Sequence, residues 1–165
     1  METSVSGIWA IGDIAGIYLF KHSANLEAAY ASQNAYVKHE KDRIKVDYKA
    51  MPHAIFSSPQ IAGVGYTEEA LIEKKIKYAK GNYNYINTAM GTALDDKDGF
   101  VKVLLDPKTR EILGCHIIGH DASTLIHEVL IAMKADLGAS GITRAVHIHP
   151  ALSEVVQRAF GNVEY

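Results

Sequence analysis

A β-hairpin followed by an amphipathic helix, in the second half of the chain, constrains the fold most strongly. Two runs rich in aliphatic residues, Gly99–Leu105 and Ile112–Ile118, are joined by the proline-containing turn Asp106–Arg110. From Ala122 to Leu137 the apolar residues recur at helical spacing, and Gly138 ends the pattern. A hairpin that leads into such a helix predicts an antiparallel sheet with a helix packed on one face.

Other segments after residue 50 continue the same pattern. Three more strands are predicted, at His53–Phe56, Ile61–Tyr66 and Lys77–Asn87. Thr67 and Asp121 are placed to cap the helices that follow them, and a short helix is predicted over residues 153–160. The fold class predicted for this region is therefore α+β, an antiparallel sheet with helices packed on it.

The first 50 residues have a different character. Residues 5–13 indicate a short buried strand that ends in Gly12-Asp13, and the pattern from His22 to about Lys38 is helical and rich in alanine. Strand, Gly-Asp, loop and helix form the arrangement in which α/β folds present a ligand at the end of a strand. We therefore predict a strand–helix unit over residues 1–40, a charged linker over 41–50 and a separate domain over 51–165.

Composition excludes several classes of partner. The 165 residues are 48% hydrophobic, the formal net charge is −2, and no cluster of lysine and arginine exceeds three residues, which argues against nucleic acid. No apolar run approaches the roughly 18–20 residues that span a bilayer, and the first residues lack a secretory signal. Cys115, the single cysteine, lies mid-strand and indicates a small apolar role. We expect a cytoplasmic protein that binds neither nucleic acid nor membrane.

The segment His147–Glu154 carries the candidate chemistry. His149 precedes a proline, which favours extended backbone, and Glu154 falls in the first turn of the predicted helix. A carboxylate on one imidazole nitrogen fixes the tautomer and raises the pKa of the ring, which suits a general acid/base. Taken alone, such a pair is more often a surface hydrogen bond. His147 completes a His-x-His pair, but no third ligand has useful spacing, so we predict no metal and a packing or orienting role.

Four motifs, in this order and at these separations, resemble the C-terminal part of the flavin-dependent pyridine nucleotide-disulfide oxidoreductases, and the dihydrolipoamide dehydrogenases are the nearest group. They are the runs at 7–13, 58–68, 99–102 with 112–119, and 147–154. The resemblance covers practically the whole chain. It implies that residues 1–40 are the last strand and helix of an FAD-binding domain and that residues 51–165 form a dimerisation domain.

The resemblance also implies roles for five residues. Asp13 would accept a hydrogen bond from the ribityl chain of FAD, and backbone N–H groups near Lys21 and His22 would face the flavin ring. His149 would be the acid/base and Glu154 the carboxylate that orients it. This pair would act in trans across a homodimer, on the dithiol/disulfide site of the other subunit. In relatives the histidine–proline peptide is often cis.

The family's dinucleotide fingerprint, its redox-active cysteine pair and its NAD-binding domain are missing from this sequence. The resemblance therefore implies a fragment that is inactive alone and works with FAD, NAD or NADP, and a lipoyl or small-molecule disulfide. Two alternatives remain. The first is another low-molecular-weight disulfide reductase such as the mycothione reductases, which the segment Leu19–Asn25 also resembles. The second is a dimerisation module without catalysis.

Overall fold

A computed structural model describes residues 1–165, and the chain divides into two units, Met1–Tyr48 and Lys49–Tyr165. The second unit is built on one six-stranded sheet in which every neighbouring pair of strands is antiparallel, in the order β1-β2-β5-β4-β3-β6. The strands are β1 Pro52–Ile55, β2 Gln60–Gly65, β3 Ala79–Asn84, β4 Phe100–Leu105, β5 Ile112–Gly119 and β6 Val163–Glu164. The predicted hairpin is therefore the β4–β5 pair at the centre of the sheet.

Five helices belong to this unit, and they are α2 Glu68–Glu73, α3 Ala89–Ala93, α4 Ala122–Lys134, α5 Gly138–Thr143 and α6 Ser153–Gly161. Helix α4 packs on β2 and β5, and α6 packs on β3 and β4. Their apolar faces meet the sheet in one buried core that includes Val103, Cys115, Ile126, Val129 and Phe160. The α+β class and the antiparallel sheet with helices on it are thereby confirmed.

Local sequence signals predicted some helix boundaries correctly and others wrongly. The Thr67 hydroxyl accepts a hydrogen bond from the Ala70 N–H at 3.1 Å, so the predicted cap of α2 is confirmed. The predicted cap at Asp121 is wrong, because this residue has φ +54° and its side chain makes no capping bond. Capping through the side chain needs the extended backbone that a left-handed residue lacks. Helix α4 also ends earlier than predicted, since Asp136 adopts φ +54°.

The first unit contains a 3₁₀ turn at Gly12–Ala15, the first helix α1 at Lys21–Ala35 and a second 3₁₀ turn at Glu40–Asp42. The strand expected over residues 5–13 does not form. Glu2 and Trp9 make a single antiparallel bridge instead. The physical reason is that a strand needs a neighbouring backbone for its ladder, and this unit offers only the chain's own first residues. No helix of the protein is both long and apolar enough to cross a membrane.

Candidate functional site

His149 and Glu154 lie in hydrogen-bond contact where the chain enters α6. Nδ1 of His149 is 3.0 Å from Oε1 and 3.1 Å from Oε2 of Glu154. The His149–Pro150 peptide bond is cis. The backbone N–H of Ala151 donates a further hydrogen bond to Oε2 of Glu154 at 3.2 Å. The carboxylate is therefore fixed between the imidazole and the turn that begins the helix.

Electrostatics define the protonation of this pair. The hydrogen bond from His149, followed by that from the Ala151 N–H, lowers the pKa of Glu154 below its ordinary value. An ionised carboxylate only accepts hydrogen bonds, so Nδ1 of His149 carries the proton and Nε2 of the neutral ring keeps its lone pair. The imidazole is 69% exposed, whereas the Glu154 side chain is 12% exposed. The mostly buried carboxylate of Glu154 thus orients the exposed imidazole of His149, and this arrangement suits a general base.

Two large apolar side chains that shortly precede His149 in the chain are exposed. Val146 is 100% exposed and Ile148 is 77% exposed, although both are large aliphatic residues. The His147 ring between them in sequence is buried, so successive side chains of residues 146–148 are alternately exposed and buried. Exposed apolar side chains that form a contiguous patch mark surfaces that pack on another protein, and Val146 and Ile148 are candidates for such a patch.

Sequence reasoning missed the partner of His147. Nε2 of His147 lies 3.0 Å from Oε2 of Glu128 on α4, and Nδ1 lies 3.2 Å from the Ala145 carbonyl oxygen. The two histidines of the His-x-His pair therefore have different carboxylate partners. The only available signal was that the charged residue Glu128 lies next to the buried apolar stripe of α4.

The candidate residues of the first unit lie at the two ends of a short connection. Asp13 lies in the 3₁₀ turn and is exposed. Helix α1 begins at Lys21, and no side chain caps its first turn. The Lys21 ammonium donates to the Asn25 side chain, and the His22 ring stacks on Phe20 with 5.2 Å between ring centroids.

A buried carboxylate, which no sequence pattern predicted, holds the Gly-Asp turn. Glu27 on α1 is fully buried; its Oε2 accepts from the Gly12 N–H at 2.6 Å and its Oε1 from the Tyr48 hydroxyl at 2.8 Å. Burial, followed by the hydrogen bond to Glu27, raises the pKa of Tyr48 to about 12. Gly12 has φ +71°, a conformation that favours glycine. Glu27 therefore fixes the backbone immediately before Asp13.

Known proteins are similar to this chain in sequence and in fold. Residues 51–160 match the family model described as pyridine nucleotide-disulphide oxidoreductase, dimerisation domain. The chain is 39% identical to a dihydrolipoyl dehydrogenase of Corynebacterium glutamicum, over 96% of this chain and 34% of that protein. It is 38% identical to a mycothione reductase of Mycobacterium tuberculosis, over 96% of this chain and 35% of that protein.

The copper(II) complex of the HOCl-induced flavoprotein disulfide reductase RclA from Escherichia coli has the same fold, with a TM-score of 0.85 at 26% identity. That likeness covers 97% of this chain and 36% of the other. The chain thus spans about a third of the length of the relatives that it matches.

Proposed function

This chain belongs to the pyridine nucleotide-disulphide oxidoreductase family, and we propose that it supplies the dimerisation domain and the acid/base pair of a flavin-dependent disulfide oxidoreductase of the dihydrolipoyl dehydrogenase type. The observation that carries the proposal is the contact at 3.0 Å between Nδ1 of His149 and Glu154. The part of the relatives that this chain does not span would supply the redox-active disulfide and most of the cofactor contacts.

The pair would act by moving a proton to and from sulfur. A thiol must become a thiolate before it attacks a disulfide, because the thiolate is the nucleophile. Nε2 of His149 takes the thiol proton, and Glu154 holds the ring in the correct tautomer and stabilises the imidazolium that forms. In the reverse direction the imidazolium returns this proton to the departing thiolate. A positioned base of this kind contributes on the order of 10²–10⁴ in rate.

The proposal places this chemistry across a homodimer formed through residues 51–165. The family model that matches this region is named for dimerisation. The ring of His149 is exposed, and the nearby residues Val146 and Ile148 of the chain have exposed apolar side chains that would be covered by the second subunit. In such a dimer the base of one subunit meets the disulfide of the other.

We further propose that residues 1–40 are the end of an FAD-binding domain, with a linker over 41–50. An exposed carboxylate at Asp13 fits the hydroxyl groups of a ribityl chain, and the uncapped start of α1 at Lys21 and His22 fits a ring that carries negative charge. Glu27 would hold the turn that presents Asp13. Bound FAD would supply electron transfer between NAD or NADP and the disulfide.

A hybrid enzyme tests the acid/base role. Residues 1–165 would replace the aligned third of the Corynebacterium glutamicum dihydrolipoyl dehydrogenase, and the two half-reactions would be followed by rapid mixing. His149→Gln should slow the dithiol/disulfide half-reaction by about 10²–10⁴ and leave flavin reduction by NADH unchanged, since only the first needs the base. His127→Gln, an exposed histidine on α4, is the matched control.

Equal losses in both half-reactions, or none in either, would contradict the role given to His149. Undiminished turnover would favour the dimerisation module without catalysis. Faster turnover of mycothione than of lipoamide would assign the substrate to the second type of relative, whose identity to this chain is nearly as high.

Sedimentation tests the dimer. The 165-residue chain should sediment as a dimer, and Val146→Asp should shift it toward monomer, because a charge cannot be buried without a partner. Asp98→Asn, a change in an exposed loop, should leave the dimer intact. A wild-type chain that stays monomeric at high micromolar concentration would refute this part of the proposal.

A further inference from the structure

A second histidine–carboxylate pair lies next to the first, and the proposed chemistry does not use it. The His147 ring is buried between two oxygen atoms, the Ala145 carbonyl at 3.2 Å from Nδ1 and the Glu128 carboxylate at 3.0 Å from Nε2. His149, two residues later, has its own carboxylate and an exposed ring. The same chemical pair thus occurs once buried and once exposed within three residues.

The hydrogen-bond partners of His147 determine how many protons the pair holds. A carbonyl oxygen and an ionised carboxylate can only accept hydrogen bonds. A neutral His147 ring has one nitrogen without a proton, and the lone pair of that nitrogen would face one of these two oxygen atoms. The pair is satisfied when the ring is an imidazolium, or when Glu128 is protonated and donates to Nε2. Burial raises the pKa of Glu128, whose Oε1 is buried without a hydrogen-bond partner in the protein, and this agrees with a retained proton.

These contacts tie the segment before His149 to two helices. Glu128 belongs to α4, and the Ala145 carbonyl also accepts from the side-chain amide of Gln157 on α6 at 3.1 Å. The side chains of Val146 and Ile148 are exposed, so they contribute little burial to this segment in a lone subunit. The segment is therefore held by the buried ring of His147, which contacts α4, and by Gln157 of α6.

We propose that His147 and Glu128 are positioning residues for His149. By fixing the backbone two residues upstream, they keep Nδ1 of His149 on Glu154, and so keep the lone pair of Nε2 directed outward before a second subunit covers the surface. This inference rests on the proposed function of His149 as the base. It differs from a purely structural role, because loss of the buried pair should change the tautomer of a neighbouring ring.

The test reads the tautomer directly. The 165-residue chain, labelled with ¹⁵N-histidine, would be studied by two-bond ¹H–¹⁵N correlation at a pH where the His149 imidazole is neutral. In the wild type, His149 should be in the Nδ1–H form. His147→Phe and Glu128→Ala should each lower the population of that form at least twofold. In the hybrid enzyme, each should slow the dithiol/disulfide half-reaction by about tenfold.

Two further variants separate hydrogen bonding from charge and from general disturbance. Glu128→Gln can donate to Nε2 of a neutral His147 and should recover most of the Nδ1–H population that Glu128→Ala loses. His127→Gln, at the adjacent exposed position of α4, should leave the spectrum of His149 unchanged. If His147→Phe does not fold, His147→Gln replaces it, since an amide can satisfy only one of the two acceptors.

An unchanged His149 tautomer in the folded His147 and Glu128 variants would overturn the inference and leave the proposed function intact. A wild-type chain in which His149 lacks the Nδ1–H form would contradict the proposed function itself, and the inference with it.

Discussion

The two units of this chain bury opposite kinds of side chain. In the second unit, α4 directs an aliphatic stripe into the core, and Ile126 and Val129 are almost completely shielded from solvent. In the first unit, the buried positions of α1 are mainly polar: Ser23, Glu27, Ala31 and Asn34. One unit is therefore held by apolar burial, and the other depends on hydrogen bonds to its own backbone.

Each buried polar side chain of α1 makes at least one hydrogen bond within the first unit. The Asn34 side chain donates to the Ile44 carbonyl and accepts from its N–H, at 2.8 and 2.9 Å, and the Ser23 hydroxyl donates to the Phe20 carbonyl at 2.7 Å. Large apolar residues of the same unit are outside, and Ile14 is 84% exposed. The difference supports the proposal that residues 1–40 complete a larger domain, whereas the second unit makes its own core.

The largest expected effect tests the apolar core of the second unit. Ile126→Ala should lower the free energy of unfolding by about 2–5 kcal/mol, because it leaves a cavity under the sheet. Ile131→Ala, on the same helix but 63% exposed, should change it by less than about 0.5 kcal/mol. Urea unfolding followed by circular dichroism measures both. Similar losses for the two variants would show that burial on α4 is not what stabilises this unit.

The next effect tests the polar interior of the first unit. Glu27→Ala removes the acceptor of the Gly12 N–H and of the Tyr48 hydroxyl, and each unpaired group costs about 1–3 kcal/mol. Hydrogen exchange at the Gly12 amide should become at least about tenfold faster, with amides of β4 and β5 unaffected. The control is Glu40→Ala, which is exposed. Faster exchange throughout the sheet would show that the units do not unfold independently.

A smaller effect concerns polar contacts on the outside of the second unit. Glu68 accepts from Tyr78 at 2.8 Å and from Lys80 at 3.0 Å, and Lys102 lies at 3.3 Å. These contacts, that of Lys80 above all, lower the pKa of Glu68 from 4.5 to about 2. A lowered carboxyl pKa gives stability that is fully present above the unfolded value and is lost as the pH falls from about 4.5 to about 2.

Because Lys80 is partly exposed, solvent screening limits this contribution. Glu68→Gln should cost about 1 kcal/mol at pH 7 and nothing at pH 2. Glu73→Gln, exposed at the end of the same helix, should show no such pH dependence. The test is to measure the unfolding midpoints of the variants and the wild type between pH 2 and pH 7. A difference in stability between Glu68→Gln and wild type that stays constant with pH would contradict the coupling of stability to the Glu68 pKa.

The smallest expected effect on the 165-residue chain tests the exposed apolar surface of the first unit. Ile14→Ser should change the stability of the 165-residue chain by less than about 0.5 kcal/mol. In the hybrid enzyme it should cost about 1.5–3 kcal/mol if the missing part of the FAD domain covers Ile14. Ile72→Ser, an exposed isoleucine of α2, should be neutral in both settings. Neutrality of Ile14→Ser in the hybrid would mean that this surface stays uncovered.

Signals confined to a few neighbouring residues predicted the second unit well. The β4–β5 hairpin follows from its turn residues, and the cap at Thr67 needs only the N–H three residues later. The strand expected over 5–13 failed because its apolar residues do not specify a partner strand. Asp121 failed as a cap because its backbone conformation is set by the turn that leads out of β5 rather than by its side chain.

The same distinction applies to the candidate site. His149 and Glu154 are five residues apart, so one turn of chain before a helix brings them together, and the sequence predicted that contact. Glu128 and His147 are 19 residues apart on different elements, and Glu27 meets Tyr48 over 21 residues. No local pattern relates such residues, because their contact depends on how the helices pack.

Neighbouring residues encode the strands of the hairpin, the apolar stripe of α4 and the contact at the start of α6, because turn chemistry and short-range geometry depend only on residues close in the chain. The packing of distant segments selects Glu128 as the partner of His147 and buries Glu27 in the first unit. Those contacts form when distant segments pack together and desolvate polar groups, which must then find partners among whatever the packing brings near.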